Sequence, residues 1–289
     1  MYHYDFYEWM AFFAIYCFVG WAFESVYVSM EHRKWVNRGF LNGPFLPIYG
    51  FGAIIMLFSA LPVRNSIPLT FLFGMIGATL LEYVTGYLME KIFQVKLWDY
   101  SYEPLNLNGY ICLGCSLMWG GLSLLLVRVI HKPVETLVLG INDMALMIID
   151  ITFAVYFVWD LVTSVRQAFD LKKIIEEQIM QNEKVLRLQK RLDVLIAVAE
   201  DDKTRRQERI AESKEELQEW IAESKEEFQE KLAKAKAELE QAKQSYAERT
   251  QAYRKRAMHI LKRNPGATSK RHKLNKEELA ALFKEHFSK

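Results

Sequence analysis

The chain has 289 residues, 51% of them hydrophobic, a net charge of +2 and three cysteines, with a mean hydropathy near zero. Three cysteines exclude a disulfide framework, and the averages alone would pass for an ordinary soluble protein. They hide a division. Residues 1–165 carry eight Lys and Arg against twelve Asp and Glu, net −4, among long apolar runs; residues 166–289 carry 29 against 23, net +6. The first part reads as a membrane domain and the second as a charged helical tail.

A hydrocarbon core about 30 Å thick needs about 20 apolar residues of helix. Five segments fit in chain order, roughly 9–30, 45–61, 67–93, 109–130 and 136–164, the second being short and flanked by prolines. The expected fold is therefore all-α: a polytopic membrane domain over 1–165, a long charged helix or coiled coil over 166–263, and a basic linker with a short helix over 264–289. The first span follows a stretch without Lys or Arg and is too long for a signal-peptide core, so it reads as retained. Loop charges set the orientation. Arg33, Lys34, Arg38, Lys91, Lys96 and the basic start of the tail fall on one side, which the positive-inside rule makes cytoplasmic, with the N-terminus outside.

Between the first two spans stands "NRGFLNGPFLPIYG" (37–50), rich in Gly, Pro and Asn. Irregular backbone at membrane depth is tolerated only where protein buries it or water reaches it. On this map the segment emerges on the same side as "KLWDYSYEPLNLNG" (96–109), near Glu24 and Glu82. Carboxylates inside a membrane cost several kcal/mol and usually face the bundle interior. In the third span Gly74, Ala78, Glu82, Gly86 and Glu90 recur every four residues, placing small residues and acids on one face. Glu24, Arg38, Glu82 and Asp99 form the expected polar cluster, against the plainer reading that each acid only holds helices in register. Asp143 and Asp150 share a face, Asp160 is expected to reach interfacial water, and His32 and His131 are expected at the interface.

"GWAFES", "NRGFLNGPFLPIYGFGA", "TLLEYVTGYLMEKIF", "LWDYS" and "NLNGYICL…SLMWG" together resemble the motif series of a bacterial membrane family named putative ABC-transporter type IV, over about residues 10–135. The resemblance implies a transport permease in the bacterial cytoplasmic membrane. Its signature positions are Glu24, Asn37, Arg38, Gly39, Gly43, Pro44, Tyr49, Glu82, Glu90, Trp98, Asp99, Tyr100, Asn106, Asn108 and Gly109, and Asn42 joins them as a candidate. Two departures stand out: Tyr110 where the family has Arg, and Leu97-Trp98 where it has a double Trp. No P-loop occurs, so an ATPase would be a separate chain. Cys112 and Cys115 lack the second pair a zinc site needs, and neither metal nor cofactor is expected. Other readings are an enzyme acting on lipid headgroups, with Arg38 holding phosphate, and a non-catalytic scaffold.

From Gly140 to Pro265 the chain has no intervening Gly or Pro. The last span can thus run on as one long helix, or break at "AEDDKT" (199–204) into a hairpin. An eleven-residue repeat begins at Ile210, Ile221 and Leu232, a spacing that favours a straight or slightly right-handed coil. Self-association, docking on a cytoplasmic partner and lying along the lipid bilayer are the candidate roles. Helix should end at Asn264-Pro265-Gly266. The basic "TSKRHK" then reads as a solvated linker, and a nucleic-acid partner is not expected.

Overall fold

The computed structural model describes residues 4–209, 216–270, 272, 274–275 and 277–279. It is helical throughout, and among the described residues only three isolated β-bridges occur. Helix α1 spans Phe6–His32, α2 Pro47–Ala60, α3 Ile67–Phe93, α4 Leu113–Leu125 and α5 His131–Leu139. Helix α6 runs Asp143–Arg209 and α7 Glu216–Arg263. Among the described residues, four helical stretches are long and apolar enough to cross a membrane: 6–32, 67–93, 113–139 and 143–177.

The second expected span falls short of that length. Helix α2 has 14 residues, prolonged by a 3-10 turn over Leu61–Val63, so it rises only roughly 21 Å. The chain before it makes up the difference. The Leu46 amide donates to Cys17 O at 2.9 Å, and Cys17 lies 15 residues, or roughly 22 Å of rise, before α1 ends. The Gly/Pro/Asn-rich stretch therefore re-enters the bundle alongside the second half of α1.

The fourth span differs from its expected bounds. A π-helical segment, Leu126–Ile130, joins α4 to α5 without a break, and Pro133 lies inside helix. A π-bulge one turn upstream gives the backbone slack where Pro133 has no N–H to donate. The turn falls instead at Gly140, whose amide closes on Thr136 O at 3.1 Å.

Small residues set the helix spacing. Thr70, Gly74, Ala78, Glu82 and Gly86 are all buried on α3, the face their four-residue spacing predicts. A Cβ at Gly74 would lie 2.2 Å from Ser123 Cβ on α4, and one at Gly20 would lie 2.3 Å from Tyr49 Cβ on α2. The apolar core gathers near the start of α1, around Phe12, Tyr16, Met56, Leu57, Trp119 and Val138. His131 belongs to this buried end rather than to an interface: it is 3% exposed. Tyr4 Oη donates to Glu135 at 2.5 Å and so accepts from His131 Nε2 at 3.0 Å, while Tyr16 Oη donates to Nδ1 at 2.9 Å.

The chain divides into two compact units, residues Met1–Lys172 with Arg256–Lys289, and residues Lys173–Lys255. The second unit holds the distal part of α6 and most of α7. Ile174, Ile175 and Ala242 are buried, and the Lys173 ammonium stands 5.4 Å over the Tyr253 ring. Helix α6 continues to Arg209 through 199–204, the stretch where a break into a hairpin was one of the two alternatives; nothing in that stretch removes a backbone donor. The first eleven-residue repeat, from Ile210, begins in residues 210–215, outside those described.

Candidate functional site

The re-entrant loop is held by donors and acceptors from three helices. Trp21 Nε1 donates to Asn37 Oδ1 at 2.5 Å, and Asn37 Nδ2 donates to Asn42 O at 2.7 Å. The Arg38 amide donates to Ser25 Oγ at 3.1 Å. From α6, Asp160 accepts the Asn42 amide and side chain, each at 3.0 Å, and the Gly43 amide at 2.8 Å. Asp160 is fully buried. Its expected place in interfacial water is thus corrected: a loop with unpaired amides at depth needs an acceptor, and Asp160 supplies it. A Cβ at Gly43 would meet both Tyr156 and Asp160 within 3 Å, so only glycine fits there.

Behind this loop lies a cavity of about 340 Å³. Its walls are mainly apolar and aromatic, including Leu46, Met89, Phe93, Met118 and Leu161. One arc is polar. Arg38 Nε lies 3.7 Å from Glu24 Oε2, and Tyr49 Oη donates to Glu24 Oε1 at 2.7 Å. The Tyr49 ring meets Trp119 edge-on at 5.6 Å, and Trp119 Nε1 donates to Glu82 Oε2 at 2.8 Å. Tyr100 Oη donates to Glu82 Oε1 at 3.3 Å. The cavity thus holds two carboxylates and one guanidinium. Among the described residues, Glu82, only 4% exposed, is bonded by neutral donors alone.

Of the candidate residues, Glu24, Arg38, Tyr49, Glu82, Trp98 and Tyr100 line this cavity together. Asp99 does not join Arg38. It belongs to a second network in the 94–110 loop, where it accepts from Ser101 Oγ at 2.5 Å and lies 3.6 Å from the Lys96 ammonium. Burial pushes its carboxyl up, but the Ser101 hydroxyl, the Lys96 charge and the Thr268 hydroxyl outweigh that and leave it below the ordinary value. Lys96 is itself almost fully buried, and burial holds its ammonium below the ordinary lysine value despite the acids beside it.

Glu90 serves the same network. It accepts from Tyr110 Oη at 2.7 Å and lies 3.6 Å from Lys96 Nζ, which stands 4.4 Å over the Tyr110 ring. Tyr110 thus receives a cation on its ring face while its hydroxyl donates to Glu90. Asn106 and Asn108 shape the loop backbone: Asn106 Oδ1 accepts the Gly109 amide at 3.1 Å, and Asn108 O accepts Lys96 Nζ at 2.6 Å. Cys112 caps α4, its sulfur accepting the Cys115 amide at 3.3 Å.

A family model described as putative ABC-transporter type IV matches residues 11–165, more than half of the chain. The chain belongs to this family. The match takes in the whole re-entrant loop, the cavity's polar arc and Asp160. No curated protein and no solved structure matches the chain.

One lining residue comes from outside the family region. Asn264, just past the end of α7, accepts from Arg38 Nη1 at 2.8 Å and donates to Gly39 O at 3.1 Å. Arg263 beside it donates to Phe40 O and Gln167 Oε1, each at 3.0 Å, and to Asn42 Oδ1. Burial lowers the Arg263 guanidinium to about 10. Asp160, Trp119, Arg263 and Asn264 were not among the sequence candidates. Trp119 stood inside a quoted motif, and Asn264 was read only as a helix stop.

Proposed function

We propose that this chain is a permease-like component of a bacterial transport system, with the basic loops and the helical arm in the cytoplasm, the N-terminus outside, and the cavity as the site of the transported molecule. The observation that carries the reading is the cavity itself: a largely apolar chamber with two carboxylates and one guanidinium on a single arc. Arg38 answers Glu24, which leaves Glu82 without a cation. A carboxylate in so dry a place favours a positive partner, and the faces of Trp119 and Tyr100 suit one. The ligand class that fits is an amphiphile with an apolar body and a cationic head.

With no P-loop in this chain, ATP hydrolysis would come from a separate subunit. The helical arm is suited to hold that partner or a second copy of the chain.

The test uses full-length protein in lipid nanodiscs, titrated with decyltrimethylammonium and with decyl sulfate while tryptophan emission is followed. Saturable binding of the ammonium, weakened on the order of tenfold in Glu82→Gln as for a lost charge partner, is the expected result. Equal binding of both amphiphiles, or of neither, overturns the ligand class. Mass spectrometry of complexes taken from native membranes should find a stoichiometric ATPase. Its absence argues against the permease assignment.

A further inference from the structure

The residues after α7 are basic, polar and expected to be solvated, yet several of them are deeply buried. Asn264, Ala267 and Ser269 are each at most 2% exposed. The segment is fastened at three levels. Nearest the cavity, Asn264 takes one N–H of Arg38 and returns one to the Gly39 carbonyl. Beside it, Arg263 is spread over the rim of the re-entrant loop. Beyond, Thr268 pairs with Lys96 as an antiparallel bridge, amide to carbonyl at 2.8 and 3.0 Å both ways, and its hydroxyl donates to Asp99 at 3.0 Å. Both loops that carry most of the candidate site residues are thus closed against each other by one strip of chain, and the match to the family ends at residue 165, well before that strip.

We infer that residues 263–270 are a built-in plug, seated on the mouth between the 37–46 and 94–110 loops, which must lift for a ligand to reach Arg38 through that mouth. The mouth is then a peptide-docking surface whose occupant is the chain's own segment. The chemistry of the seat suits reversibility. Every fastening to Arg38, Gly39, Lys96 and Asp99 is a hydrogen bond that water can replace. The covalent tie through α7 keeps the plug at high local concentration.

The inference rests on the reading of the cavity as a site, but its test needs no ligand. In a full-length background with the three native cysteines replaced, Thr85→Cys places a thiol on the cavity wall. Its rate of modification by a small membrane-impermeant thiol reagent reports access. Asn264→Ala with Thr268→Val should raise that rate on the order of tenfold, as expected for loss of several hydrogen bonds, two of them to charged groups.

A second, separate pair, Lys96→Cys with Thr268→Cys, faces across a hydrogen-bonded antiparallel position, where Cα atoms stand about 5.5 Å apart and a disulfide can form. In protein carrying this pair and the Thr85→Cys reporter, oxidation should hold the rate at or below the parent's, and reduction should raise it. Rates that do not change in either set overturn the plug. So does an oxidised pair that runs as a covalent dimer, which would assign the seat to a second copy. If access is gated as described but no amphiphile binds, the plug stands and the ligand class above fails.

Discussion

The two ends of the bundle solve the same problem differently. Where α1 begins, helices close on a dry core, and a buried imidazole there, His131, has both ring nitrogens bonded by Tyr4 and Tyr16. Where α1 ends, the same helices part around a chamber. Its polar groups are only partly answered within the family region, and Arg38 completes its bonding with Asn264 from the far end of the chain. The comparison teaches where to look for a site in a helical membrane protein. Here the imidazole of the packed end is bonded from within the packed helices, whereas Arg38 takes a partner from beyond the family region and Glu82 is bonded by Trp119 and Tyr100, which carry no charge.

The sharpest way to break the comparison is to trade stability at one end against the other. Phe12→Ala empties the packed end at a fully buried position and should cost about 3 kcal/mol or more. Glu82→Gln keeps the shape of the open end and both neutral donors, and should change stability by under about 1 kcal/mol. Unfolding in mixed micelles measures both. Equal costs would mean that Glu82 is a structural group like any other and that the two ends do not differ in kind.

A smaller effect separates the acids of α6. Asp160→Ala strips the acceptor from the Asn42 and Gly43 amides and should cost about 2 kcal/mol. Asp143→Ala, at an exposed position, should fall within about 0.5 kcal/mol. The two acids look alike in the sequence, and here legibility has a physical limit. The period of four on α3 announced the Gly74–Gly86 face because small residues and close helices are a local pattern. The Gly/Pro/Asn composition of 37–50 likewise announced irregular backbone at depth.

What joined these pieces did not show. Asp160 is 118 residues from Asn42, and Asn264 is 226 from Arg38. No periodicity or motif couples positions that far apart. The Asn-Pro-Gly after α7 marked a helix end correctly, but a stop signal is silent about what the chain touches once it has stopped. Asp99 was grouped with Arg38 for lying on the same side of the membrane, which is too coarse a ruler to separate two networks sharing one mouth. Lys96, nearly fully buried, was the missing member of the second.

That second network gives the smallest effect, and one with a definite sign. Asp99 is held below its ordinary value of 3.8, so the folded protein gives up this proton more readily than the unfolded chain does. Its contribution to stability is complete above about pH 5 and fades as acid drives the pH down through the folded value. Lys96, held low by burial, works the opposite limb: its penalty is relieved only as the pH rises toward 10.5. Acid titration therefore isolates the carboxylate. Between about pH 6 and pH 3 the parent should lose more stability than Asp99→Asn, the difference reporting this one group. Because Thr268 donates to the same carboxylate, the Thr268→Val variant should lose part of that difference too. A Thr268→Val profile that matches the parent through the acid limb would mean that the Thr268 hydroxyl adds nothing to Asp99, and that residue 268 is seated by its backbone bridge to Lys96.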